Sequence, residues 1–121
     1  MRTNEFTEFP INIKVTKDDI ASILDKALDE GSLHWIYNAM AKFNKTIPPH
    51  EVIASDGILL LYGMNGSIYE LTKGKFILGL QQALPYFTNI INGSNLNTGI
   101  IDSDGADLIL QLALFNEVLF D

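Results

Sequence analysis

Asp102, Asp104 and Asp107 are the densest group of carboxylates in the chain. Two carboxylates that meet in a pocket can serve as general acid and general base, and a tighter group can hold a divalent cation. A calcium loop needs ligands at fixed offsets, a glycine at the sixth position and a late bidentate glutamate. The stretch Asp102-Ser103-Asp104-Gly105-Ala106-Asp107 does not keep that spacing. Carboxylates placed just before an apolar run accept hydrogen bonds from the free amides of a helix start and favour its dipole. The expected role is helix capping, with no metal bound.

Other routes to catalysis lack their motifs. His34 and His50 stand in neither an H-x-x-x-H nor an H-E-x-x-H frame. No G-x-S-x-G elbow is present, and Gly57, Gly63, Gly66, Gly74 and Gly79 form neither a P-loop nor a dinucleotide fingerprint. The cysteine count is zero, which removes disulfides, thiolate zinc sites and thiol nucleophiles together. We expect a non-catalytic protein with no catalytic residue and no cofactor.

Binding chemistry has more to draw on. A helix over Ser32–Phe43 would carry Leu33, Ile36, Tyr37, Met40 and Phe43 on its inner stripe. Trp35 would then lie about 160° away, beside Asn38 and Lys42. There it could stack on a base or nucleotide, with His34 nearby, or pack against a second layer. Lys73 and Lys75 fall on the first turn of another helix, where amides and ammonium groups can hold a phosphate or stay solvated. Trp35, Asn38, Lys42, Lys73 and Lys75 are therefore the candidate ligand- or partner-binding residues.

The elements that would position these residues follow from periodicity and caps. Phe9, Ile11, Ile13 and Val15 alternate with polar residues, as in a half-buried strand, with Pro10 near its start. Thr16 caps a helix with Asp18 and Asp19 in its first turn, and Ile20, Ile23, Leu24, Ala27 and Leu28 form its apolar face. Gly31 is placed to end it in a left-handed conformation. Asn44–Pro49 is a loop, and Asp56-Gly57 has turn chemistry. Ile58–Met64 and Ser67–Leu71 flank Asn65-Gly66 as a β-hairpin. Thr72 caps a helix with Phe76, Leu80, Ala83, Leu84 and Phe87 on one face, stopped or kinked at Pro85. Asn89–Gly99 reads as a long surface loop. Asp102 or Ser103 starts the last helix, and short strands are expected near Val52 and at Val118–Phe120.

The last helix has a polar stripe of Asp104, Asp107 and Gln111, but Leu114 and Phe115 enter the same angular zone one turn later. Its second half is apolar on nearly every side, and each such side chain left wet forgoes roughly 1.5–3 kcal/mol. Leu114, Phe115, Val118 and Phe120 are thus the expected oligomer or partner interface. The whole reads as α+β: a small antiparallel sheet, made of the N-terminal strand and the hairpin, packed with about four helices.

The chain has 121 residues and 47% hydrophobic residues, enough for one core. Residues 1–8 read as a flexible arm and 9–121 as a single domain. Fifteen acids against eight bases give a net charge of −7, which disfavours direct nucleic-acid binding and suits an acidic face seated in a basic groove. No apolar h-region opens the sequence, and no apolar run reaches the roughly 18–20 residues of a membrane helix. A cytoplasmic protein with no membrane partner is expected.

Three segments, VTKDDIASILDKALDEGSLHWI, YELTKGKFILGLQQAL and IDSDGADLILQLALFNEVLF, together resemble a family of small acidic proteins from phages and prophages of Firmicutes. The shared pattern falls on Val15, Thr16, Asp19 and Ile20; on Ala27, Leu28, Gly31 and Trp35; on Leu71, Thr72, Lys75, Phe76, Gly79 and Leu80. It closes on Ala106, Asp107, Ile109, Gln111, Ala113, Leu114, Phe115 and Glu117. It departs in the Asn/Gly-rich segment and in the proline loop. The resemblance implies a phage or prophage setting, not an activity. By analogy with small phage accessory proteins, it implies an anti-defence, anti-CRISPR-like inhibitor that binds a host immune protein. The alternatives are an oligomeric sponge for a nucleotide immune signal, and a structural or regulatory homo-oligomer.

Overall fold

Thr16 begins the first helix as its sequence requires. Its Oγ1 accepts from the Asp19 N–H at 3.0 Å while the Asp19 carboxylate accepts from the Thr16 N–H at 2.9 Å. This reciprocal box satisfies two of the free amides of α1 (Lys17–Lys26). The structure, a computed structural model, describes residues 13–121. Most of the expected strand Phe9–Val15 lies outside them. Within them Lys14 makes one parallel bridge to Asn95, donating its N–H to the Ser94 carbonyl at 2.6 Å.

The architecture is α+β. Among the described residues, three α-helices pack with a three-stranded antiparallel sheet, and a two-stranded ribbon lies apart from it. The third strand of the main sheet is not the N-terminal one but β1 (Ile36–Ala41), from the segment expected to be a helix. It pairs with β2 (Leu59–Gly63), which pairs with β3 (Ile68–Leu71). The spacing of Leu33, Ile36, Tyr37, Met40 and Phe43 imitates a helical stripe, yet Leu33, Tyr37 and Phe43 are 48%, 65% and 78% exposed. Ser32 does not cap this segment, because its hydroxyl is spent on Asp107. The ladder offered by β2 and the anchoring of Trp35 override the period.

A single π turn, Ala27–Gly31, follows α1 and leads into that strand. Gly31 does not take the expected left-handed conformation; the left-handed glycines are Gly66 and Gly93. Gly31 is needed for room, since a Cβ there would overlap the Ser103 carbonyl. At the main hairpin, Gly66 (φ 89°) closes a three-residue loop, Met64-Asn65-Gly66, longer than the two-residue turn that Asn65-Gly66 suggests. Gly63 holds it at both ends, accepting from the Gly66 N–H at 3.0 Å and donating to the Ser67 carbonyl at 2.8 Å.

Alternation gives the sheet two faces. Ala41, Leu59, Leu61 and Leu71 are buried against the helices, while Asn38, Met40, Leu60, Tyr62, Ile68 and Glu70 occupy the other face. Both edges carry a side-chain cap. The Ala39 N–H, on the side of β1 away from β2, donates to Asn38 Oδ1 at 2.9 Å, and the Glu70 carbonyl of β3 accepts from Lys75 Nζ at 3.0 Å. A bulge between Ile36 and Asn38 adds a local kink to β1.

Thr72 caps α2 (Lys73–Ala83) by accepting from the Lys75 N–H at 3.3 Å, and Pro85 sits in the 3₁₀ turn that follows. Asp102 caps α3 (Ser103–Phe115), accepting from the Gly105 N–H at 2.8 Å; Asn116, at φ 62°, ends it. α2 and α3 pack so closely that Gly79 lies directly against Ala113. Three α-helices stand where about four were expected, because Ser32–Phe43 is not one. The segment expected as a loop, Asn89–Gly99, instead folds into a tight ribbon of β4 (Ile91–Asn92) and β5 (Asn95–Leu96). Gly93 makes its turn, and Ile90 and Leu96 are buried. Val52 is buried in a turn rather than a strand, and Val118–Phe120 forms no strand. No helix among the described residues is long and apolar enough to cross a membrane.

Candidate functional site

Where α3 meets the start of β1, four polar side chains converge out of water. Asp107 Oδ1 accepts from Ser32 Oγ at 2.6 Å and from Trp35 Nε1 at 2.7 Å; Oδ2 accepts from Gln111 Nε2 at 2.8 Å. Ser32 and Gln111 are fully buried, and Trp35 and Asp107 nearly so. Asp107 and Gln111 are one helical turn apart, so they project side by side from α3.

Gln111 also ties down the end of the chain. Its Nε2 donates to the Phe120 carbonyl at 2.9 Å, and its Oε1 accepts from the Leu119 and Phe120 N–H groups, each at 2.9 Å. Every hydrogen-bonding position of the amide is used. Phe120 thereby lies flat on Trp35, with ring centroids 4.9 Å apart and planes 6° from parallel. Phe115 meets Trp35 at 5.6 Å and Tyr69 at 5.0 Å, which completes an aromatic cluster over the polar knot.

This geometry redistributes the residues singled out in the sequence. Trp35 is not an outward platform: it is 3% exposed, and Phe120 covers one ring face. Asp107 and Gln111 belong to the interior, not to a wet polar stripe. Asn38 is engaged with the Ala39 amide. Lys42 pairs with Glu70 at 3.0 Å and lies over the Phe43 ring, Lys75 reaches the Glu70 carbonyl, and Lys73 pairs with Asp56 at 3.2 Å. These lysines are held by carboxylates and a carbonyl, not gathered around one ring. Phe115 and Phe120 turn inward within the chain, Leu114 is half-buried, and Val118 and Leu119 are exposed.

His34 Nε2 stands 3.7 Å from Asp107 Oδ2 and 3.4 Å from the Phe120 carbonyl, at the rim of the knot. His50 faces Glu51 at 3.4 Å. Among the described residues, no group of three or more His, Asp or Glu side chains is disposed to hold a metal ion.

Comparison with protein-family models, curated proteins and solved structures finds no match to this chain.

Two outward surfaces differ in character from the knot. At the junction of the π turn and α3, Asp29, Glu30 and Asp102 line a shallow cleft, with Asp104 beside it in sequence. Glu30 accepts from Ser103 Oγ at 2.5 Å. Lys26, the base at this cleft, directs its Nζ to the carbonyls of Thr98 and Ile101 at 2.8 and 2.7 Å. The outer face of the sheet, by contrast, is apolar.

Phe120→Ala tests the aromatic cover. Full truncation of a buried phenylalanine costs about 3–5 kcal/mol, and Phe120 is only half-buried, so a loss of about 2 kcal/mol is expected. Trp35 is the chain's single tryptophan, so its emission should also move to longer wavelength as water reaches the ring. An unshifted emission spectrum would show that Phe120 does not shield Trp35 in solution.

Proposed function

We propose that this chain is a non-catalytic accessory protein of a phage or prophage. It would act in the cytoplasm of a bacterial host by presenting an acidic face to a basic groove of a host defence protein. The observation that carries this reading is the grouping of Asp29, Glu30 and Asp102 around one shallow cleft, with Asp104 next to it in sequence, where Lys26 is taken up by backbone carbonyls. The net charge of −7 gives the same sign at longer range. Basic grooves are what nuclease effectors use to hold phosphates, and a rigid acidic surface competes for them.

The experiment is a plaque assay in hosts carrying individual nuclease-based defence systems, with and without the protein expressed. Binding of the purified pair is measured alongside. Expression is expected to restore phage growth against at least one system. Asp29→Lys, Glu30→Lys and Asp104→Lys together should slow association about 10- to 100-fold, while the chain stays folded with a melting temperature lowered only modestly by the loss of the Glu30–Ser103 bond and of the Asp104 charge at the start of α3. Asp102 is kept because it caps α3. Failure to rescue against every system tested, or full rescue by the charge-reversed variant, would refute the reading.

A further inference from the structure

Met40, Leu60 and Tyr62 form the centre of the outer sheet face; they are half-buried but lie outside the core cluster. Around them Ile68 is 59% exposed, Met64 59% and Tyr37 65%, with the Tyr37 and Tyr62 ring centroids 6.2 Å apart. Tyrosine, methionine and aliphatic side chains with few charges are the composition of an interface centre. Among the described residues the charges on the face are Lys42 and Glu70, which neutralise each other at 3.0 Å.

That neutrality identifies the occupant. A nucleic acid would need unpaired lysines, and a basic protein would need unpaired acids; among the described residues the face offers neither. It suits a surface that is itself flat, apolar and charge-balanced, and the same face of another molecule meets that description. The capped edges direct association the same way, since Asn38 and Lys75 occupy backbone groups that an added strand would use. We propose that the outer face of β1–β3 packs against the same face of a second copy of the chain, sheet on sheet across a two-fold axis. Aligned sheets pack about 10 Å apart through interdigitated side chains and need no backbone hydrogen bonds between copies.

The acidic group of Asp29, Glu30 and Asp102 lies away from this face and each copy carries a net charge of −7, so repulsion between the two molecules acts at long range and salt screens it. The dimer is therefore tighter at about 0.5 M salt than at about 0.02 M. Association of an acidic face with a basic groove has the opposite salt dependence.

Sedimentation equilibrium of the full chain, from about 1 µM to about 500 µM, tests the proposal. A monomer–dimer equilibrium is expected, strengthened by salt. Ile68→Glu puts two like charges into the contact by symmetry and should raise the dissociation constant at least about 30-fold. Because Ile68 is exposed, the melting temperature of the monomer should not change. Val118→Glu, at the exposed C-terminal end, should leave the dimer intact. A chain that stays monomeric to about 500 µM overturns the proposal. So does a dimer insensitive to both Ile68→Glu and Met40→Glu, or one that dissociates with Val118→Glu instead.

Discussion

Asp107→Asn is expected to destabilise the fold by about 2–3 kcal/mol, and Asp107→Ala by about 3–5 kcal/mol. The asparagine is nearly the same size, so the loss comes from hydrogen-bond direction. Asp107 receives three donors, from Ser32, Trp35 and Gln111. If the asparagine oxygen serves Ser32 and Trp35, its amide N–H₂ meets the Gln111 N–H₂, donor against donor. Gln111 cannot turn over, because its oxygen already accepts from Leu119 and Phe120. If the asparagine turns over instead, its N–H₂ meets the Trp35 N–H. No arrangement satisfies the whole knot, and each buried donor left alone costs about 1–3 kcal/mol. A chain of this length holds on the order of 6–18 kcal/mol in total. Urea unfolding followed by Trp35 emission measures the change. A loss below about 0.5 kcal/mol for Asp107→Asn would mean that the knot does not hold α3 to β1.

Gly79→Ala and Gly74→Ala should act in opposite directions, although both replace a glycine in α2. By helix propensity alone each gains up to about 1 kcal/mol. At Gly74 a Cβ meets nothing within 4 Å, so a gain of about 0.5–1 kcal/mol is expected. At Gly79 a Cβ would stand 2.6 Å from the N, Cα and Cβ atoms of Ala113. Backbone atoms cannot swing aside, so α2 and α3 must separate. Overpacking of this kind costs about 1–3 kcal/mol, and contact with main chain lies at or beyond the top of that range. The net expectation is a loss of about 2 kcal/mol, and more for Gly79→Val. Thermal unfolding of the two variants side by side gives the signs. A stabilised Gly79→Ala would show that the helices are not in such close contact.

Local rules made much of this fold legible. Thr16 and Thr72 cap the helices they were expected to cap, Asp102 is the cap of the two that the sequence offered for the last helix, and the apolar face of α1 is the buried one. Asn65-Gly66 marked the main hairpin, although the loop takes in Met64 as well. What stayed hidden depends on partners distant in sequence. Residues 32–43 keep a helical period by coincidence, and only the pairing of Ala39 and Ala41 with Leu61 and Leu59 makes them a strand. Trp35 looked outward because its true partner, Asp107, lies 72 positions away along the chain.

Gln111 was legible only in part. A glutamine one turn after an aspartate reads as a wet stripe until the chain end returns over it. The Asn/Gly-rich stretch concealed a ribbon because its two buried apolar residues, Ile90 and Leu96, are spaced by a turn rather than by a period. The residues on which a resemblance to phage proteins was suggested largely hold the fold. Gly31 makes room for Ser103, Gly79 for Ala113, and Trp35, Asp107 and Gln111 make the knot. A likeness carried by such positions speaks to architecture more than to activity.

The capped sheet edges set a limit on growth. Strands that add side by side can do so indefinitely, because each newcomer exposes a fresh edge, and that is the route to fibres and gels. Asn38 and Lys75 act as chain terminators on that polymerisation. Association through the outer face, as proposed above, would be self-limiting, because a two-fold contact consumes that face on both copies. A protein made rapidly and in quantity would gain from that closure, since crowding would drive it to a finite particle and not to a precipitate.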